Sequence, residues 1–345
     1  MKLIEPSVQL IKQEGLLEGM YKHIELCGRT CYKSEDKITE NSAEEFVKRM
    51  IASNHTAMLE HGTVYLTLSI YPTNYNKIVH FPWYYNNAEA NFYEVFRYVQ
   101  SLFMFNPYTK INTHTVEHTG VTTMYITTNL RVILENELED VMHEFITEPT
   151  LYHTPRITLK FTTNIGVTRE GNRMRANSIA EESTRYCDYS KDKFDNSIKF
   201  TLPTWINPNE TEILACRDAE TESRLYSHII ENIDGEEYNW NTIDWYLYAL
   251  STSAFAYKQL RKLGWSPQQA REVLPLATKS DVVYTAFPHQ WRHFFDLRMF
   301  GTTGAPHPNM KDIATKAAEI LIENDLWKFI YPDKDKIPAH VGENK

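Results

Sequence analysis

The spacing of hydrophobic and polar residues predicts a helix followed by a strand early in the chain. Residues 42–54 open with a capping-box pattern, Ser42 with Glu45, and continue with apolar residues at helical spacing. They are predicted to form an amphipathic helix. Over residues 64–70, apolar and polar positions alternate with the period of two that is typical of a half-buried strand. Pro72 is expected to end that strand.

Further along the chain the period changes repeatedly between that of a strand and that of a helix. Alternation predicts strands over 122–128 and 157–161, and residues 131–145 between them have the apolar spacing of a helix. From 165 to 189 the pattern becomes helical and unusually rich in arginine and glutamate. Further helices are predicted over residues 210–232, 242–263, 267–273, 281–298 and 310–329.

A few strands in a mostly helical chain predict the α+β class, with a small, mostly antiparallel sheet packed against several long helices. The chain has no regular βαβ alternation and no G-x-G-x-x-G loop, which disfavours a Rossmann or P-loop fold. Residues 72–118 are rich in Tyr, Phe, Asn and Pro, and a helix is predicted within them at 89–104. We interpret this segment as an insertion or lid in a single domain spanning residues 1–345.

The charge balance limits the classes of partner. A net charge of −9 disfavours a nucleic acid polymer or an anionic membrane as partner, so an anionic ligand needs a local cluster of cations. We find no apolar run of membrane-spanning or signal-peptide length and expect a cytoplasmic protein. Four cysteines without a C-x-x-C pair predict reduced thiols and no metal site.

Residues 168–186 hold the densest set of chemically active side chains. A solvated, ion-paired helix is the ordinary interpretation, with Glu181 and Arg185 as an i,i+4 pair. The arginines are, however, spaced around hydroxyl groups, those of Ser183 and Thr184 among them. Because guanidinium groups bind phosphate and carboxylate oxygens in pairs, this pattern also predicts an anion-binding cradle.

This segment resembles the flavin-dependent thymidylate synthases. Their motif is an Arg-His-Arg triplet followed after seven residues by a Ser, within a run ending Glu-x-Ser-x-Arg-Tyr. Here Arg173-Met174-Arg175 precedes Ser183 at the same spacing, and the run continues to Tyr186. Met174 replaces the central histidine, and a thioether does not reproduce the hydrogen bond that an imidazole can donate.

Three other parts of the chain are similar to the same family in the same order. His55 opens a segment with Glu60 that resembles the family's His-x-x-x-x-Glu-His element, although such a cluster alone would usually be structural. Arg271 lies in a run similar to Ala-Arg-x-x-Leu-Pro, and residues 291–298 resemble the closing Phe-x-x-Leu-Arg helix. The resemblance covers residues 27–71 and 119–330, with the insertion between them.

The resemblance implies a methyltransferase that forms dTMP from dUMP. The one-carbon unit would come from methylenetetrahydrofolate, and FAD would mediate hydride transfer from NADPH. A cysteine nucleophile would not be used, and a homotetramer would share its sites between subunits. By resemblance, Arg298 and Ser183 are catalytic; Arg173, Glu181, Ser183, Arg185, Arg271 and Arg298 bind dUMP; and His55, Arg173, Met174, Arg175, His289 and His293 contact FAD. Glu60 is a secondary candidate that would orient its neighbours.

Two other functions remain open. One is a related flavoenzyme that installs a different one-carbon group or acts on dCMP. The other is a nucleotide- or flavin-binding paralogue that has lost catalysis, because Met174 replaces the motif histidine and Gly171 departs from the bulky apolar residues usual before the triplet.

Overall fold

The computed structural model describes residues 1–80, 83–84, 89–207, 209 and 241–332. The strands in these ranges are β1 (Lys2–Ile4), β2 (Ser7–Ile11), β3 (Thr63–Ile70), β4 (Ile78–His80), β5 (Glu89–Asn91), β6 (Lys110–Val116), β7 (Val121–Asn129), β8 (Ile157–Asn164), β9 (Ser178–Glu181), β10 (Lys199–Thr201) and β11 (Lys279–Ala286). The helices are α1 (Leu17–Tyr32), α2 (Ser42–Ala52), α3 (Phe92–Phe103), α4 (Leu130–Glu135), α5 (Glu139–Phe145), α6 (Ile165–Gly171), α7 (Thr242–Lys262), α8 (Pro267–Ala270), α9 (Pro288–Arg298), α10 (Pro308–Glu323) and α11 (Trp327–Ile330).

The described strands form small sheets that are mostly antiparallel. The largest has the order β2-β8-β11-β9, a second has the order β3-β7-β6, and β4 pairs with β5. The short pair β1-β10 is parallel. Together with helices α1, α7 and α10, these sheets confirm the predicted α+β class.

Two apolar clusters cover the two larger sheets. The first packs β3 and β7 against α1, α2 and α3, with Leu66 and Met124 among its fully buried members. The second joins β8 and β11 to α9 and α10 around Trp291 and Phe295, and it includes Met174. Within the described ranges, no helix is both long and apolar enough to cross a bilayer.

Several predicted elements are confirmed with small changes at their ends. Strands β3, β7 and β8 and helices α2 and α7 lie where the patterns predicted them. The capping box predicted at Ser42 is wrong, because the Ser42 hydroxyl bonds instead to Glu25 at 2.8 Å and helix α2 is preceded by Asn41. A capping box is present at α3, between Asn91 and Glu94. The helix predicted over 210–232 lies outside the described residues.

The helix predicted over 165–189 is wrong beyond Gly171. Ala176 adopts a left-handed conformation, with φ of 50°, that interrupts a right-handed helix. The chain then forms β9, which pairs antiparallel with β11 so that Glu181 lies opposite Val282. The expected i,i+4 pair of Glu181 and Arg185 therefore does not exist.

Three other predicted helices are divided or shortened. Residues 281–286 belong to β11, a strand with every residue buried, and helix α9 starts only at Pro288. The helix predicted over 131–145 is interrupted near Glu137, and the last predicted helix near Asp325; both residues have positive φ. A strand buried on both faces lacks the polar alternation that distinguishes strand from helix, which explains the error at β11.

Candidate active site

A cavity of about 410 Å³ brings together residues that lie far apart in the sequence. Its lining residues are Pro107, Lys110, Met174, Arg175, Ala176, His289, Gln290 and His293. His289 and His293 share a face of α9, because four residues span slightly more than one helical turn of about 3.6 residues. Four of the residues predicted to contact FAD thus lie around one cavity: Met174, Arg175, His289 and His293.

The charged and titratable groups lining this cavity are all basic. They are Lys110, Arg175, His289 and His293, and no acid is found among the described residues that line it. Burial lowers the pKa of His289, and the charge of Lys110 lowers it further. The cavity therefore has an electrostatic bias toward anions, provided by cations of different segments.

The turn between α6 and β9 forms one wall of the cavity. Met174 is only 5% exposed and packs into the apolar cluster around Trp291, although its side chain also reaches the cavity. Asn177 is also buried, and neither its amide oxygen nor its amide nitrogen has a hydrogen-bond partner within the described residues. Arg173 is exposed and does not line the cavity.

Gly171 explains how this turn packs against the sheet. A Cβ atom at Gly171 would lie 2.5 Å from the hydroxyl oxygen of Tyr284. That hydroxyl donates to Asn172 Oδ1 at 2.8 Å. The absence of a side chain at 171, a departure from the family pattern, thus lets Tyr284 of β11 support the turn that carries the Arg173-Met174-Arg175 segment, which we call the arginine triplet.

A second cluster of predicted residues forms beyond the end of β9. Arg271, in the short helical turn after α8, donates from Nη1 to Thr184 Oγ1 at 3.1 Å. Ser183 is half-buried, and its backbone N–H donates to Cys31 O at 2.8 Å. Arg185 is exposed. The predicted nucleotide residues Ser183, Arg185 and Arg271 therefore lie on adjoining segments, in an arrangement suited to an anionic group.

Glu181 is held by neighbouring side chains rather than presented free to a ligand. Its carboxylate accepts from Asn172 Nδ2 at 3.2 Å and from Ser280 Oγ at 3.0 Å. These contacts connect β9 to β11 and to the turn after α6. Glu181 thus lies between the two groups of predicted site residues.

Arg298 is separated from the cavity in this chain. It follows His289 by nine residues, about two and a half turns, and so lies on the opposite face of α9. Its Nη2 donates to the backbone carbonyl of Glu170 at 2.9 Å. The structure of the chain therefore does not bring Arg298 together with Arg175, His289 and His293.

The first predicted histidine is also apart from the cavity. His55 is exposed and immediately precedes the helical turn Thr56–His61, and it does not line the cavity. Glu60, in the same turn, is buried and forms an ion pair with Arg131. The Glu60 carboxylate is therefore held by Arg131, and it does not line the cavity.

The sequence interpretation missed Lys110 and Pro107. Both lie in the 72–118 segment, where no recognised motif marks them, and only the packing of β6 brings them near α9. Gln290 was also missed, although its position beside His289 on the helix was a usable signal. The unpaired amide of Asn177 has no sequence signal, because hydrogen-bond satisfaction depends on the tertiary surroundings.

The described cysteines have the properties of structural thiols. Cys27, Cys31 and Cys187 are free, and Cys216 lies outside the described residues. Burial raises the pKa of Cys31 to about 11 and that of Cys187 to about 12. Because the thiolate is the nucleophilic form, these groups are poorly reactive near neutral pH.

Within the described part of the chain, no group of three or more His, Cys, Asp and Glu side chains is placed to hold a metal ion.

Comparison with known families identifies the family of this chain. The family model described as thymidylate synthase complementing protein matches residues 135–324, more than half of the chain. The chain belongs to this family. Its members are the flavin-dependent thymidylate synthases, and the match includes the arginine triplet, the 183–185 segment, Arg271 and helix α9. Residues 72–118, with Lys110, lie outside it.

Other comparisons add little to the family assignment. No curated protein matches the sequence. The chain is similar to crystal structures of the UMP/dUMP methylase PolB from Streptomyces cacaoi, bound with 5-Br dUMP or with 5-Br UMP. The first match has a TM-score of 0.38 and 13% identity over 94% of this chain and 93% of the other; the second has 0.37 and 12%, over 93% and 91%.

Proposed function

We propose that the protein is a flavin-dependent thymidylate synthase that forms dTMP from dUMP, with methylenetetrahydrofolate as one-carbon donor and NADPH as reductant. The observation that carries the proposal is the cavity between the arginine triplet and α9, whose charged lining residues are all basic. Membership of the family supports the same reaction class.

The basic lining of the cavity suits the phosphates of an anionic dinucleotide such as FAD. Arg175 would hold phosphate oxygens, and His289 and His293 would offer hydrogen bonds from the face of α9. The unpaired amide of Asn177 beside the same turn provides further hydrogen-bonding capacity. When bound, FAD would supply the hydride transfer that these residues cannot perform themselves.

The second cluster suits the phosphate of dUMP. Ser183, Arg185 and Arg271 would donate hydrogen bonds to a phosphate dianion, with Arg173 as an additional exposed cation. Glu181, held by Asn172 and Ser280, would keep β9 in place between the two clusters. This assignment places the nucleotide next to the end of β9.

We assign to Arg298 the stabilisation of negative charge that develops on the uracil ring. A fixed guanidinium can do this only if it is close to the nucleotide, and in one protomer it contacts Glu170 instead. We therefore propose that a homotetramer completes the site, with Arg298 and the arginine triplet contributed by different subunits. Light scattering that shows a monomer with tightly bound FAD would contradict this part of the proposal.

The decisive experiment is spectroscopic. Purified protein should be yellow, its flavin absorbance should bleach when NADPH and dUMP are added, and mass spectrometry should detect dTMP when the folate is supplied. dCMP tested in parallel identifies a related enzyme with a different substrate. Colourless protein that cannot be reconstituted with FAD would contradict the proposed function.

One observation favours a second candidate, a nucleotide- or flavin-binding paralogue with altered or lost catalysis. Met174 occupies the position of the motif histidine and is packed among apolar side chains. Nucleotide binding without flavin reduction or product formation would identify this alternative.

A further inference from the structure

The cationic cavity, lined by Lys110, Arg175, His289 and His293, has walls from two parts of the chain. One part lies within the region matched by the family, and the other lies outside it. Arg175 and the α9 histidines lie in the region matched by the family. Lys110 and Pro107 come from the inserted segment, outside both that match and the recognised motifs. Lys110 is therefore a cation of the cavity that lies outside the region matched by the family.

Hydrogen bonds fix the backbone of residues 106–109, the turn that directly precedes Lys110 at the start of β6. The Asn106 side chain accepts from Tyr108 N at 2.9 Å, and the Asn106 carbonyl accepts from Thr109 N at 3.0 Å. The Thr109 hydroxyl also bonds to that of Thr128 on β7 at 2.8 Å. Lys110 thus begins its strand at a defined position rather than on a loose loop.

Lys110 and Arg175 have no acidic partner among the described residues, although both line the same cavity. By contrast, Lys33 and Lys279, which line another pocket, form ion pairs with Asp281. The charge of Lys110 reaches the helix that forms the other wall, because it contributes to the lowered pKa of His289. Uncompensated cations around one cavity are the arrangement expected of an anion site.

We propose that Lys110 binds the diphosphate group of the dinucleotide cofactor, together with Arg175. A diphosphate diester has one ionised oxygen on each phosphorus, and two permanent cations on different segments match these two charges. The inference rests on the proposed function for the identity of the cofactor. The chemistry alone requires only a ligand with a diphosphate.

The first test compares three variants of the full-length protein. Lys110→Gln should weaken FAD binding by about 10- to 100-fold, as expected for a lost hydrogen bond to a charged group. Lys110→Arg should retain most of the affinity. Lys77→Gln is the matched control, since Lys77 is an exposed lysine of the same segment. Equal FAD affinities for Lys110→Gln and Lys77→Gln would overturn the proposal.

FMN separates a diphosphate site from a general cation effect. FMN has a single phosphate, so Lys110→Gln should reduce FMN affinity less than FAD affinity. The FAD affinity of this variant should also depend less on ionic strength than that of the wild type, because one of the screened charge contacts is gone. Equal losses for FMN and FAD would contradict binding to the diphosphate.

A titration with inorganic pyrophosphate tests the site without FAD. In NMR spectra, pyrophosphate should shift the His289 and His293 ring resonances in the wild type and in Lys77→Gln, but much less in Lys110→Gln. If the wild type does not bind FAD yet shows this pattern, the proposed function fails and the diphosphate site stands. If pyrophosphate causes no shift in the wild type, the proposed site is wrong, whatever reaction the enzyme performs.

Discussion

Arg298 and Glu170 join the end of α9 to the last turn of α6. Arg298 Nη2 donates to the Glu170 carbonyl at 2.9 Å, and Nη1 lies 3.4 Å from the Glu170 carboxylate. The guanidinium is only partly exposed. It is therefore held in a defined place on the side of α9 that faces away from His289.

Replacing Arg298 should abolish most of the activity with little effect on folding. Arg298→Gln should lower the rate of dTMP formation by about 10²- to 10³-fold, the usual effect of losing one donor to developing negative charge. Arg292→Gln is the control on the same helix, where Arg292 lies over the Tyr331 ring at 5.0 Å. Similar rates for the two variants, at matched thermal stability, would refute the role of Arg298.

Replacing Arg271 should weaken nucleotide binding specifically. Arg271→Gln removes the donor that contacts Thr184 and should raise the Kd of dUMP by about 10- to 100-fold. FAD affinity should change little, because Arg271 does not line the cationic cavity. Calorimetric titrations with each ligand separate the two effects. Arg97→Gln, at an exposed position of α3, serves as the control; a similar loss there would count against the assignment.

Gly171 and Tyr284 should show strong energetic coupling. Gly171→Ala forces a Cβ against the Tyr284 hydroxyl, and we expect the free energy of unfolding to fall by about 1–3 kcal/mol. Tyr284→Phe removes the hydroxyl and part of the overlap, so the double variant should lose less than the two single losses together. Urea denaturation measures the coupling, and simple additivity would show that the turn relaxes freely.

Asp188 and Arg261 should make stability depend on pH in the acid range. Burial raises the pKa of Asp188, but hydrogen bonds from Arg261 and Ser190 outweigh it and lower the pKa to about 2, from an ordinary 3.8. The contribution is therefore complete above pH 3.8 and disappears as the pH falls through about 2. Urea unfolding across this interval should show a smaller loss of stability for Asp188→Asn than for the wild type.

Replacing Met174 by the motif histidine should lower the free energy of unfolding and raise the affinity for FAD. Met174→His places an imidazole in an apolar cluster, which should reduce the free energy of unfolding by about 1–3 kcal/mol and keep the ring neutral. The new donor at the cavity wall should raise FAD affinity. Met174→Leu is the apolar control, with little change expected in either property. No gain in affinity over Met174→Leu would show that the missing imidazole is not the defect.

Elements defined by local patterns could be predicted from the sequence. The alternation in β3 and the helical spacing in α2 each follow from one buried face, so the period alone identifies them. The motifs were similarly sufficient to identify the family, because they depend on residue type and spacing. These features require no knowledge of which segments meet in space.

The tertiary structure decided the form of β9 and the composition of the cavity. Residues 178–181 form a strand because β11 supplies hydrogen-bond partners from about a hundred residues away, a contact that outweighs local helical spacing. Lys110 joins Arg175 for a related reason, since the packing of the 72–118 segment brings its side chain to the cavity. The sequence by itself determined the cations and the family; non-local pairing and packing determined which of those cations share one cavity.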